Sequence, residues 1–388
     1  MKIKKIVACL LTAAISSLVI FSGCNNNREN VQSSKATEEF SQSQSVQSSE
    51  NKSSQPSSSS QTESSDTSAS NEKITPAVWK VTDKDGNYIY MMGSIHAADK
   101  AVENMPDYFE GAFAQCTALA VEADITDLNS DISESIAIVK KYVYSDGTKI
   151  SDHISKDTYT KAVQILKDNN VYNSLYDYYK PVMWTSLMDN IVLKKSGLDI
   201  NYGVDSILTS RAKKDKKQIL EVESVDYQVD LMTGFSDELQ EMMLQSFTED
   251  GAIDEQTESL KKLYNQWKKG TITEDVANSD FNESSMTADE KKLVDEYNTK
   301  MLVDRNKHMA DKAEEYMQGK ETVMFVVGAA HFYGENGVLQ LMEDKGCTVK
   351  QLTSADVDSM PVPSKPESRE ETSTENSVVS EDTSLAAA

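Results

Sequence analysis

Along this chain, stretches of period-two hydrophobic residues stand at both ends of a long region with helical period. Val78-Trp79-Lys80-Val81-Thr82 and Tyr88 to Gly93 are rich in β-branched and aromatic residues and read as two strands. Asp83-Lys84-Asp85-Gly86-Asn87 between them has Asp-Gly turn chemistry, which predicts a hairpin. Asp107 to Cys116 follows Pro106 and reads as a helix. Leu119-Ala120-Val121-Glu122-Ala123 is a short apolar strand interrupted by one acid. From about Leu128 to Tyr316 the spacing is mostly helical. Ile136, Val139, Lys140 and Val143 keep it, as do Leu239, Met242, Met243 and Phe247. Gln218 to Glu223 is a strand inside that region, and Lys300 to Met317 a helix stopped near Gly319. Val323 to Gly328 is a continuous apolar run, the pattern of a strand buried on both faces. A helix from about Asn336 to Lys345 and a strand from Cys347 to Leu352 complete the pattern.

The expected fold is α+β (mixed α/β). The two ends of a body spanning residues 74–354 build a central mixed β-sheet, and a large helical insertion covers about residues 128–298. No repeat of fixed period occurs.

Composition changes the picture outside that body. Of the 40 residues in Val31–Ser70, 17 are Ser, with one Phe and two Val, too little apolar surface to offset the entropy of ordering. Residues 25–73 therefore read as a polar tether and 355–388 as an acidic tail. Lys2, Lys4 and Lys5 precede an apolar run from Ile6 to Phe21, the layout of a secretory signal. The run is short and holds Thr12, Ser16 and Ser17, which disfavours a spanning helix. Its ending, Phe21-Ser22-Gly23-Cys24, resembles a bacterial lipobox, which implies Cys24 as a lipid-modified first residue after a 1–24 signal segment. The expected location is the extracytoplasmic face of the cell membrane. A net charge of −24 with no compensating basic patch argues against nucleic acid as a partner. Four cysteines are too few for a disulfide scaffold, and Cys116 and Cys347 each suit a buried position.

One echo carries the candidate chemistry. Gly93-Ser94-Ile95-His96 and Gly328-Ala329-Ala330-His331 both follow a strand, and they hold two of the chain's four histidines. Glycine there allows positive φ or close backbone approach, and the His is presented at the end of the sheet where parallel strands bind ligands. Two such ends side by side would converge two imidazoles, common ligands of first-row metals. Either motif alone would more often be structural. Glu122 supplies an acid: within an apolar strand a carboxylate is costly to bury unless paired or metal-bound, although at a strand end it would simply face water. Glu223 repeats the pattern more weakly. Arg305, on an amphipathic helix, would pair with Glu122 or polarise a carbonyl, or else be a solvated helix charge. His153 and His308 are expected at the surface. Tyr172, Tyr176, Tyr178 and Tyr179 read as helix packing before ligand lining.

These segments resemble the TraB/PrgY/GumN family, whose animal relatives are the Tiki metalloproteases. The resemblance spans about Ile74 to Ser354. It rests on the two Gly-x-x-His motifs, Val121-Glu122-Ala123-Asp124, Lys180-Pro181-Val182-Met183-Trp184, Gly203-Val204-Asp205, Leu220-Glu221-Val222-Glu223-Ser224, Asp304-Arg305-Asn306 and Phe332-Tyr333-Gly334. It implies a fold similar to erythromycin esterase and a haem-binding lipoprotein group. It also implies His96 and His331 as metal ligands, an essential Glu122 and Arg305, and a divalent metal (Mn, Co or Zn). Glu122 would be a third ligand or the general base, and Arg305 would orient it or stabilise an oxyanion. The expected function is a metal-dependent peptidase acting on peptides or proteins outside the cell, anchored to the membrane through Cys24. The alternative is a non-catalytic surface receptor that sequesters a peptide, metal or haem in the same pocket. In a third reading the histidine pair only supports folding.

Overall fold

The computed structural model describes residues 73–124, 132–277 and 286–359. The signal segment, Cys24, the tether up to residue 72 and the tail from residue 360 lie outside the described residues. So do parts of the expected insertion.

Six strands form one sheet: β1 (Val78–Thr82), β2 (Tyr88–Ser94), β3 (Ala118–Val121), β4 (Gln218–Glu221), β5 (Val323–Gly328) and β6 (Thr348–Gln351), in the order β4-β3-β5-β2-β1-β6. β4, β3, β5 and β2 are mutually parallel, whereas β1 runs antiparallel to β2 and β6. The expected hairpin forms. Asp83 accepts from the amides of Asp85 and Asn87 at 2.9 and 2.8 Å, and Gly86 takes φ +90°. The helices are α1 (Asp107–Gln115), α2 (Ile132–Lys141), α3 (Lys156–Asp168), α4 (Pro181–Ser196), α5 (Val204–Lys214), α6 (Val225–Thr233), α7 (Asp237–Gln245), α8 (Ala252–Lys269), α9 (Glu274–Ala277), α10 (Ala288–Asn298), α11 (Asp304–Met317) and α12 (Val338–Asp344).

Strand periodicity sends alternate side chains to opposite layers. Tyr90, Met92, Leu119, Val121, Met324 and Val326 meet α1, α5 and α8, notably Phe109, Leu208 and Trp267. Met91, Ala120, Phe325 and Val327 meet Met309 and Ala313 of α11 and Met342 of α12. The remaining helices close two further cores. One surrounds Trp184, Met188 and Phe247, and the other Met183, Met243 and Tyr297.

The mixed sheet is as expected, but the two chain ends supply only five of its strands. β4 comes from the middle of the helical region and pairs in parallel with β3, covering what would otherwise be an open edge. α5 and α8, from the same helical region, pack directly on the sheet. Cys116 and Cys347 are free thiols in clusters on opposite faces of the sheet. Tyr172 and Tyr176 pack around Trp184, whose indole donates to the Tyr176 carbonyl at 2.8 Å. His308 is exposed, as expected. His153 departs from its expected surface position: it is half-buried, stacked on Tyr144 with ring centroids 3.9 Å apart.

Candidate functional site

The parallel strands end in register. Val121 lies opposite both Glu221 and Val326, and Ser94 lies opposite Gly328. Each strand therefore delivers one polar side chain to the same edge, in the order Glu223, Glu122, His331 and His96. Glu122 stands one residue beyond β3 rather than inside it. Its backbone still continues the ladder, since the Glu223 amide donates to the Glu122 carbonyl at 2.7 Å.

The two motif glycines work by close approach, not positive φ. A Cβ on Gly93 would fall 2.8 Å from the Ala329 Cα, so β2 and the turn carrying His331 touch only because that Cβ is missing. The Gly328 amide donates to Glu122 Oε1 at 2.6 Å, and a Cβ on Gly328 would sit 3.0 Å from that oxygen.

Arg305 reaches the edge from α11. A π-helical turn, Thr299–Val303, sits immediately before it, a feature frequent at functional sites. It delivers Arg305 and Asn306 side by side, both buried. The guanidinium donates from Nε and Nη2 to the two oxygens of Glu223, at 2.8 Å each, and from Nη2 to Glu122 Oε2 at 2.9 Å. Gln228, in the first turns of α6, donates its amide to Glu122 at 3.1 Å and to Glu223 at 3.0 Å.

Each imidazole has a polar partner at Nδ1, a hydrogen bond for His331 and an ion-pair contact for His96. His331 Nδ1 lies 2.6 Å from Asn306 Oδ1, and the Asn306 amide is spent on the Asn336 carbonyl at 2.8 Å, so the imidazole is the donor. His331 Nε2 then carries a lone pair and lies 3.8 Å from Glu122 Oε1. His96 Nδ1 lies 2.9 Å from Asp205 Oδ2, in the first turn of α5.

Charge follows from this geometry. Burial pushes the Glu122 carboxyl up, but the Arg305 guanidinium beside it, with the imidazoles, outweighs burial and holds it below the usual carboxylate range. Burial and then Arg305 repulsion push the His331 imidazole down to about 3. Burial also opposes a charge on His96, yet the Asp205 carboxylate raises that imidazole to about 9. Burial disfavours the Arg305 charge, but Glu223 and Glu122 together raise its pKa still further.

All four singled-out residues, His96, Glu122, Arg305 and His331, thus meet at one edge. As they stand, no three His, Cys, Asp or Glu side chains among the described residues form a group that closes around one ion. The donor chemistry nonetheless fits a divalent metal, with two imidazoles and an ionised carboxylate whose partners hold them in place. Sequence reasoning gave no role to Asp205, Asn306 or Gln228. Asp205 and Asn306 stand in Gly203-Val204-Asp205 and Asp304-Arg305-Asn306, two segments that carry the family resemblance, which was a usable signal, whereas nothing distinguished Gln228.

A family model for TraB/PrgY/gumN proteins matches residues 77–351, from β1 through β6. The chain belongs to the TraB/PrgY/gumN family. Its site residues all lie within the matched span. Two curated relatives are the uncharacterised protein YbaP of Escherichia coli (strain K12) and that of Shigella flexneri. Each is 21% identical over 272 residues, covering 70% of this chain and 94% of the relative. No solved structure matches.

Proposed function

We propose that this TraB-family sheet edge is the centre of a divalent-metal-dependent peptidase held outside the cell membrane through a lipid on Cys24. The observation that carries the reading is the pair of oriented imidazoles. His331 donates from Nδ1 to Asn306 Oδ1 at 2.6 Å, and His96 Nδ1 stands 2.9 Å from an Asp205 carboxylate oxygen as an ion pair. Metal-ligating histidines are commonly held through the other ring nitrogen. The His331 Nε2 lone pair is open, and His96, raised to about 9 by Asp205, would give up a proton on taking the ion. His96 and His331 would hold the metal with Glu122 beside them. When bound, such an ion supplies a Lewis acid that polarises a carbonyl and makes water acidic near neutral pH.

The chain's own groups do the rest. Glu122 Oε1, held by the Gly328 amide, is the carboxylate oxygen turned toward His331, and it can accept a proton as general base or serve as third ligand. Arg305 keeps Glu122 ionised, and Asn306 fixes the tautomer that leaves the His331 Nε2 lone pair open. The extracytoplasmic location rests on the signal-like N-terminus and Cys24. Among the described residues no helix is long and apolar enough to cross a membrane.

The test incubates the purified chain with a diverse peptide mixture and Mn, Co or Zn, beside His96→Ala and His331→Ala. Cleavage is read by mass spectrometry and folding by circular dichroism. Metal-dependent products that fall to background in both folded variants are expected. No cleavage with any of the three metals would sink the peptidase, and saturable one-to-one ligand binding would then favour the sequestering receptor.

A further inference from the structure

Two buried carboxylates share one buried guanidinium at this edge, with side-chain exposures of 9% for Glu122, 1% for Glu223 and 5% for Arg305. Three formal charges of that kind sum to minus one, so one carboxylate holds a negative charge that Arg305 does not balance. The hydrogen bonds show which. Glu223 takes Arg305 side-on with both oxygens, Oε1 from Nε and Oε2 from Nη2, at 2.8 Å each. That bidentate fork is the strong form of the pair. Glu122 takes a single bond, to Oε2, from an Nη2 already shared with Glu223. The Gln228 amide bridges the two Oε2 atoms, which fixes the carboxylates against one another despite their like charge. Glu122 Oε1 takes no part in this arrangement. It receives the Gly328 amide at 2.6 Å and faces His331 Nε2 at 3.8 Å.

We propose that Glu223 is a positioning residue of the site: it takes up the Arg305 charge, so that the unbalanced charge of the trio rests on Glu122 Oε1, toward the imidazoles. Without the Glu223 charge, Arg305 has Glu122 as its sole anionic partner, and Glu122 is drawn away from the histidines. This role deepens the metal reading of the same edge and rests on it.

Mn and Zn affinities are measured by calorimetry on the full chain, wild type beside Glu223→Gln, which keeps the side chain's shape and removes its charge, and Glu223→Asp, which keeps the charge and shortens the side chain. Melting temperatures of Glu223→Gln and Glu122→Gln are recorded without metal. Glu223→Gln is expected to bind about 10- to 100-fold more weakly, the range for losing an outer partner of a ligand. Glu223→Asp is expected to bind more tightly than Glu223→Gln. A purely structural Glu223 predicts the opposite order, with the shortened side chain the worse binder. Unchanged affinity in Glu223→Gln, or Glu223→Asp binding no better than Glu223→Gln, overturns the proposal. If the wild type binds neither metal, the metal-dependent reading falls and the melting order decides. Glu223→Gln melting below Glu122→Gln sustains Glu223 as the counter-ion of Arg305, and the equal or reverse order overturns it.

Discussion

Burying a lone carboxylate costs several kcal/mol, and at Glu122 three donors offset that cost: Arg305 Nη2, the Gln228 amide and the Gly328 N–H. Each donor also fixes a direction, so the same bonds that stabilise Glu122 aim its second oxygen at His331. Close packing at the glycines makes this aim possible. Gly93→Ala would force a Cβ to within 2.8 Å of the Ala329 backbone, two residues before His331. Backbone cannot swing aside as a side chain does, so the expected cost is that of overpacking, about 1–3 kcal/mol. Urea unfolding at fixed pH checks it. A variant as stable as wild type would show that β2 and the His331 turn are not in tight contact.

Among the elements, the parallel strands set the spacing of the site and the helices supply its orienting groups. α5 brings Asp205, α6 brings Gln228, and α11 brings Arg305 and Asn306 after the π-helical turn. α4 carries a different feature. Asp189 is fully buried there, neither carboxylate oxygen has a partner among the described residues, and burial raises its carboxyl well above the ordinary value. In the folded chain Asp189 is therefore protonated at pH values where the unfolded chain has released that proton. The folded state then binds more protons, so this group's contribution falls as pH rises above about 4, by at most about 1.4 kcal/mol per pH unit. Asp189→Asn does not titrate. Its stability relative to wild type is expected to improve between pH 4 and pH 8, as followed by urea unfolding at both pH values. A constant difference across that range would mean that Asp189 has a partner.

For the whole molecule, the six-stranded sheet has helices on both faces and its site at one edge. The proposed anchor acts at this scale. An acyl chain contributes about 0.8 kcal/mol per buried methylene, and stable retention needs more than one chain. Replacing Cys24 by Ser is expected to move the protein from the membrane fraction to the soluble fraction, read by fractionation and immunoblot. Unchanged membrane retention would rule out lipid attachment at Cys24 as the anchor.

The strands, the hairpin and the family were legible in the residues themselves, as were His96, Glu122, Arg305 and His331 as candidates. These are local signals. A continuous run such as Val323 to Gly328 carries its burial in its own composition, and a Gly-x-x-His after a strand presents its histidine within one turn. Folding alone sets the pairing of residues far apart in the chain. That Glu223 rather than Glu122 forms the fork with Arg305 depends on β4 joining β3, and four residues of modest apolarity cannot announce a parallel partner. Asp205, Asn306 and Gln228 are ordinary polar residues of helix first turns by pattern. They become orienting groups only because three separate helices end or begin at one sheet edge. Asp189 shows the same limit, since its helical position alone does not say that every neighbouring face is covered.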